Sequence, residues 1–191
     1  MKSIVIFASG SGTNAENIIK YFQNSDLAKV VLVLANRKDA KVLDRASSLN
    51  TSALYFNKTA FKDDTIVNLL KGIDPDLIVL AGFLLKINKK LVDLFPNRII
   101  NVHPALLPKY GGKGMYGMHV HNSIVENNEK ETGITIHYVN EHYDEGNIIF
   151  QDTVALNQDD TPESVAQKVH QLEYEHFPKV IEKLLSQSIY G

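Results

Sequence analysis

The 191-residue sequence contains no cysteine and no tryptophan. Without cysteine there is no disulfide framework, no thiolate zinc site and no cysteine nucleophile. Charge of one sign is also missing: 20 Lys and Arg stand against 22 Asp and Glu, a net charge of −2. That balance leaves no basic footprint for nucleic acid or an anionic membrane, so neither is an expected partner. Long apolar runs are absent as well. The first, from Ser3 to Ala8, is preceded only by Met1 and Lys2 and turns at once into a glycine-rich loop. It matches neither a signal peptide nor a membrane span, and the protein is expected to be cytoplasmic. No internal repeat, linker or low-complexity tract divides the chain. With 44% hydrophobic and 22% charged residues, a single domain over 1–191 is expected.

What is present is a rhythm of short apolar runs and helical segments. Ile4–Phe7, Val30–Leu34 and Leu77–Ala81 are apolar without alternation, which suits strands buried on both faces, and residues 53–56 make a weaker strand. Helices are predicted after the first loop, near 40–49, over roughly 60–71 and over 88–94. The order predicts an α/β fold: a doubly wound, mostly parallel, Rossmann-like sheet with helices on both faces. Past residue 104 the pattern changes. Lys109 to Met118 carries four glycines and reads as a flap, followed by a helix at about 119–127 and strands at 134–139 and 148–156. Thr161-Pro162 opens a last helix with a buried stripe at Val165, Val169, Leu172, Val180 and Leu184, and Pro178 is expected to kink it.

The most chemically suggestive stretch is Asn101-Val102-His103-Pro104. Residues two apart on a strand share a face, and Pro104 ends the ladder, so Asn101 and His103 should meet at the sheet's carboxyl edge. An amide donor beside an imidazole can stabilise an oxyanion and move a proton. Asp144, in the acidic loop between the last two strands, could reach that histidine and raise its pKa. Ser9-Gly10-Ser11-Gly12-Thr13-Asn14 lies between strand and helix, where N–H groups favour a phosphate. Position 15 is Ala15, so the loop is not the dinucleotide fingerprint. A Thr13/Glu16 capping box is the alternative reading of the same residues. Glu173 falls on the apolar stripe of the last helix and needs a partner, either a protein cation or a ligand amine. His119 and His121 would diverge on a helix and lack a third ligand, so no metal is expected. Ser9 and Ser11 lack the G-x-S-x-G elbow of a serine nucleophile.

Together, Ser9–Asn14, Leu80-Ala81-Gly82-Phe83-Leu84, Asn101-Val-His103-Pro-Ala-Leu-Leu-Pro108 and Asp144-Glu-Gly146 resemble the folate-dependent formyltransferases over nearly the whole chain. The resemblance implies transfer of a formyl group from 10-formyltetrahydrofolate, as co-substrate, to the amine of glycinamide ribonucleotide in purine synthesis. It implies Asn101, His103 and Asp144 as the catalytic trio, with a protonated His103 kept charged by Asp144. Gly12, Thr13 and Asn14 would hold the substrate phosphate and Glu173 would lie near its amine. Leu84, Leu85, Lys86 and Ile87, with Asn101, would line the folate pocket. The implied partners are small molecules, with a monomer or homodimer as the working unit. Members of the family that act on RNA, or that hydrolyse the folate, carry a further domain for which 191 residues leave no room. The chain departs from the resemblance in a longer segment at Gly111–Gly117, and Lys86 stands where relatives commonly have arginine nearby.

Overall fold

The structure is a computed structural model that describes residues 1–187. Its elements are β1 (Lys2–Ala8), α1 (Thr13–Phe22), β2 (Ala28–Ala35), α2 (Val42–Ser48), β3 (Ala53–Tyr55), α3 (Lys58–Lys62), α4 (Thr65–Ile73), β4 (Leu77–Leu80), α5 (Lys89–Leu94), β5 (Ile99–His103), α6 (Met118–Glu126), β6 (Glu131–Tyr138), β7 (Ile148–Ala155) and α7 (Pro162–Gln187). The strands form one sheet in the order β3-β2-β1-β4-β5-β6-β7. β1 to β5 pair in parallel, and β6 and β7 add on antiparallel. This is the doubly wound sheet that the apolar runs predict.

Successive residues of β1 serve opposite faces, as the pleat requires. Ile4, Ile6 and Ala8 pack with α1, α2, α6 and α7, while Val5 and Phe7 pack with α3, α4 and α5. Because β1 lies between β2 and β4, the chain order reverses there. The loops that leave β1 and β4 therefore part at the carboxyl edge and open a crevice.

One local expectation changes. The helix expected over roughly 60–71 is two helices, because Asp63 accepts bonds from both the N–H and hydroxyl of Thr65, and Asp64 takes a left-handed φ of 67°. Short acidic side chains of this kind compete with the helix for backbone groups. Pro178 does not end α7, which runs on to Gln187. A proline at 178 leaves the carbonyl of Tyr174 without its helical donor, and the side chain of Asn17 on α1 donates to that oxygen at 2.9 Å. At the other end of α7, Thr161 caps as expected, its hydroxyl accepting from the N–H of Ser164.

Candidate active site

A cavity of about 620 Å³ opens at the carboxyl edge, walled by Ser9–Asn14, by Gly82–Leu84, by Asn101–Pro104, by the flap Gly112–Gly117 and by Asp144, His170 and Glu173. Residues from nearly every part of the chain meet there because the parallel strands all end on this side. Ser9 joins two of the walls: its hydroxyl accepts from the N–H of Leu84 at 2.9 Å, and it is buried, which makes it a strut and not a nucleophile.

Asn101 and His103 do share the cavity, as their spacing predicts, but each has its own neighbour. His103 Nε2 lies 2.7 Å from the carbonyl oxygen of Tyr110. A carbonyl only accepts, so that nitrogen carries the hydrogen and Nδ1 is the one that faces Asp144, at 3.6 Å. Asp144 is held in turn by the N–H of Gly112 at 2.9 Å. The flap backbone thus fixes both members of the pair. Asp144 does raise the pKa of His103, but burial acts more strongly in the other direction and the net shift is downward. His103 is therefore held towards its neutral form, contrary to the expectation of a standing imidazolium.

The loop that carries Asp144 leaves β6 opposite Ile100, three residues short of His103, and folds back across the sheet. Two unusual backbone positions make that return. Asp144 sits at φ 55°, in the left-handed region, and Gly146 packs so closely on the carbonyl of Tyr138 that a Cβ would lie 1.6 Å from it.

His137 is the neighbour that the sequence reading missed. It stands directly across from Asn101 in the β5–β6 ladder, is buried, and places Nε2 3.1 Å from Asn101 Nδ2 and 3.6 Å from Asp144 Oδ1. The signal was present: Thr135 and His137 are polar positions on one face of an otherwise apolar strand, and antiparallel pairing sets that face beside His103 and Asn101.

The glycine loop leads directly into α1, with Gly12 at φ 75° and a Cβ there only 2.4 Å from Val42. No side chain caps this helix, so the Thr13/Glu16 box does not form. Glu16 is instead drawn to Lys20 and Arg45, which hold its carboxyl below the usual range, and Arg45 also donates to the carbonyl of Ser11. The first-turn carboxylate that would repel an anion is paired with two cations, while the residues of the loop line the cavity at the start of the helix.

Glu173 is 5% exposed, with Asn14 Nδ2 donating to its Oε2 at 2.8 Å and His170 Nε2 at 4.0 Å. Its protein partner is thus an amide and not a cation. Burial pushes its pKa up to about 7, with the Asn14 bond opposing. His121 also lines the cavity, buried, with no partner for Nδ1 among the described residues and a pKa pushed down to about 4, chiefly by burial.

Of the four residues expected to line a folate pocket after β4, only Leu84 reaches the cavity wall. Ile87 is in the core, Leu85 packs on the same cluster, and Lys86 lies 5.5 Å over the ring of Tyr143, which itself lines the cavity. Among the described residues no group of three His, Asp or Glu side chains is arranged to hold a metal, and no helix is long and apolar enough to cross a membrane.

Known proteins resemble the chain over nearly its whole length. Residues 2–181 match the family described as Formyl transferase. Phosphoribosylglycinamide formyltransferase of Bacillus subtilis is 34% identical over 97% of this chain and 95% of its own. The chloroplastic phosphoribosylglycinamide formyltransferase of Arabidopsis thaliana is 36% identical over 98% of this chain and 67% of its own. The crystal structure of glycinamide ribonucleotide transformylase 1 from Symbiobacterium toebii superposes with a TM-score of 0.90 at 30% identity, covering 98% of this chain and 89% of that one. The same three-part meeting of glycine loop, strand-end Asn-x-His and folded-back aspartate thus sits in a chain that belongs to the formyl transferase family, among its phosphoribosylglycinamide formyltransferases.

Proposed function

We propose that this enzyme transfers the formyl group of 10-formyltetrahydrofolate to the amine of 5-phosphoribosylglycinamide, a step of purine synthesis, by direct attack without a covalent enzyme intermediate. The observation that carries the reading is the convergence of Asn101, His103 and Asp144 in one cavity that also contains an anion-ready loop and a buried carboxyl. The substrate phosphate sits at the N–H groups of Gly12, Thr13 and Asn14, and its glycinamide end runs towards Glu173. The folate enters beside Leu84, Tyr143 and Asn101, which line the cavity wall.

As the amine nitrogen bonds to the formyl carbon, the carbonyl oxygen gains negative charge and the nitrogen gains acidity. Asn101 donates to that oxygen from its amide. His103 Nδ1, bare in the resting state and facing Asp144, is the site that takes the amine proton, and Asp144 stabilises the imidazolium so formed. The proton then passes to the folate nitrogen as its bond to the formyl carbon breaks, which leaves formylated ribonucleotide and tetrahydrofolate. This order makes the low resting pKa of His103 useful: an empty acceptor is what the attack requires.

We take the enzyme to be a cytoplasmic monomer or homodimer acting on small molecules. The test is direct. Purified, chelator-treated protein given both substrates should yield formylated ribonucleotide and tetrahydrofolate in equal amounts by mass spectrometry. Loss of formyl to water without a gain in the ribonucleotide would overturn the proposal.

A further inference from the structure

We infer that His137 is a positioning residue that fixes the orientation of the Asn101 amide, so that one N–H is always turned to the reacting oxygen. The inference rests on the role given to Asn101 above and goes beyond it to the group that makes the role possible. An asparagine amide can point either way, and only one of the two orientations offers a donor to an oxyanion.

The chain of bonds begins at the backbone. The carbonyl oxygen of Tyr138 is 2.9 Å from His137 Nδ1 and can only accept, so Nδ1 carries the hydrogen. In the neutral ring Nε2 is then a bare acceptor, and it is this atom that faces Asn101 Nδ2 at 3.1 Å. Flipping the amide would set Asn101 Oδ1 against the same lone pair, two acceptors in hydrogen-bond contact and partly buried. The flip is therefore penalised, and the amide N–H that His137 does not take is left for the cavity that Asn101 lines.

The scheme holds only while His137 is neutral. The charged or titratable groups that face it are Asp144, whose Oδ1 is 3.6 Å from Nε2, and His103. Burial opposes a proton on the ring, the bond to the Tyr138 carbonyl and Asp144 favour one, His103 opposes it, and the net shift is downward. Protonation would turn Nε2 into a donor, favour Asn101 Oδ1 over Nδ2, and draw Asp144 away from His103.

The experiment is a double-mutant cycle on the whole enzyme with steady-state kinetics. His137→Phe keeps a ring of similar size and removes the acceptor. Its kcat should fall by about 10-fold or more with the KM for each substrate nearly unchanged, because the lost interaction belongs to the transition state. In an Asn101→Ala background the same change should cost less than about 2-fold, since there is no longer an amide to orient. His137→Gln, which restores an acceptor oxygen near the Nε2 position, should recover most of the rate and guards against a phenylalanine variant that fails to fold. Equal losses in both backgrounds, or no rescue by glutamine in a folded protein, would overturn the inference. Normal turnover in Asn101→Ala would remove the oxyanion role of Asn101 and the inference together, whereas normal turnover in His137→Phe alone would overturn only the latter.

Discussion

The hydrogen bond from His103 Nε2 to the carbonyl of Tyr110, at 2.7 Å, leaves Nδ1 as the only nitrogen of that ring able to receive a proton, and Nδ1 faces Asp144. In the mechanism proposed above, the electrostatic work of Asp144 is thus done on the imidazolium formed during reaction more than on the resting ring.

Asp144→Asn isolates that work. Asparagine tolerates the left-handed φ of 55° at this position and can still accept from the N–H of Gly112, so fold and substrate affinities should change little. The lost charge lowers the pKa of His103 further, and kcat should fall by about 100-fold or more. Rapid kinetics paired with an NMR titration of His103 checks both halves. A near-normal rate would show that Asp144 merely anchors the flap.

Glu173→Gln should separate stability from binding. The carboxyl has a folded pKa of about 7 against an ordinary 4.5. Between those values the folded protein keeps a proton that the unfolded chain has released, so stability falls as pH rises through that window and stays low above it. Glutamine is neutral throughout. The variant should match the wild type near pH 4 and exceed it at pH 8 by on the order of 3 kcal/mol in chemical denaturation. It should also bind the ribonucleotide more weakly while folate affinity is unchanged. Equal weakening of both ligands would assign Glu173 to the protein's own packing.

Gly12→Ala tests the anion loop. The new Cβ would meet Val42 at 2.4 Å on a residue already at φ 75°, so the turn must shift. The expected cost is about 1–3 kcal/mol in stability. Calorimetry should show ribonucleotide affinity reduced by about tenfold or more with the folate site intact. A variant that binds inorganic phosphate and ribonucleotide normally would place the phosphate elsewhere.

Asn17→Ala probes the seam of α1 and α7. Removing the amide leaves the Tyr174 carbonyl with neither its helical nor its side-chain donor, and should cost about 1–2 kcal/mol by denaturant unfolding. An unchanged midpoint would show that solvent satisfies that oxygen.

The parts of this enzyme legible in its sequence are those written in periodicity or in local chemistry. Buried runs in β1, β2 and β4 announced a parallel sheet, and Pro104 marked where β5 must end. The Glu173 carboxyl stood out because its place on the stripe of α7 conflicted with its charge. What stayed hidden depends on distant parts of the chain. His137 becomes part of the site only through antiparallel register with β5, and the flap's grip on His103 uses a main-chain carbonyl that no residue type advertises. The capping box at Thr13 and Glu16 was a reasonable local reading that lost to Arg45, 29 residues further on. Likewise a helical period cannot reveal that Asp63 and Asp64 would bond locally and divide a helix.

Asn14 spends its Nδ2 on Glu173, yet its own Oδ1 is buried with no hydrogen-bond partner among the described residues. The amide shields the carboxyl while remaining half-satisfied itself. An incoming molecule with a hydrogen-bond donor at that spot relieves an existing deficit, and one without it inherits the deficit. On the proposed reading, a correctly placed N–H or O–H of the substrate is what this acceptor selects for.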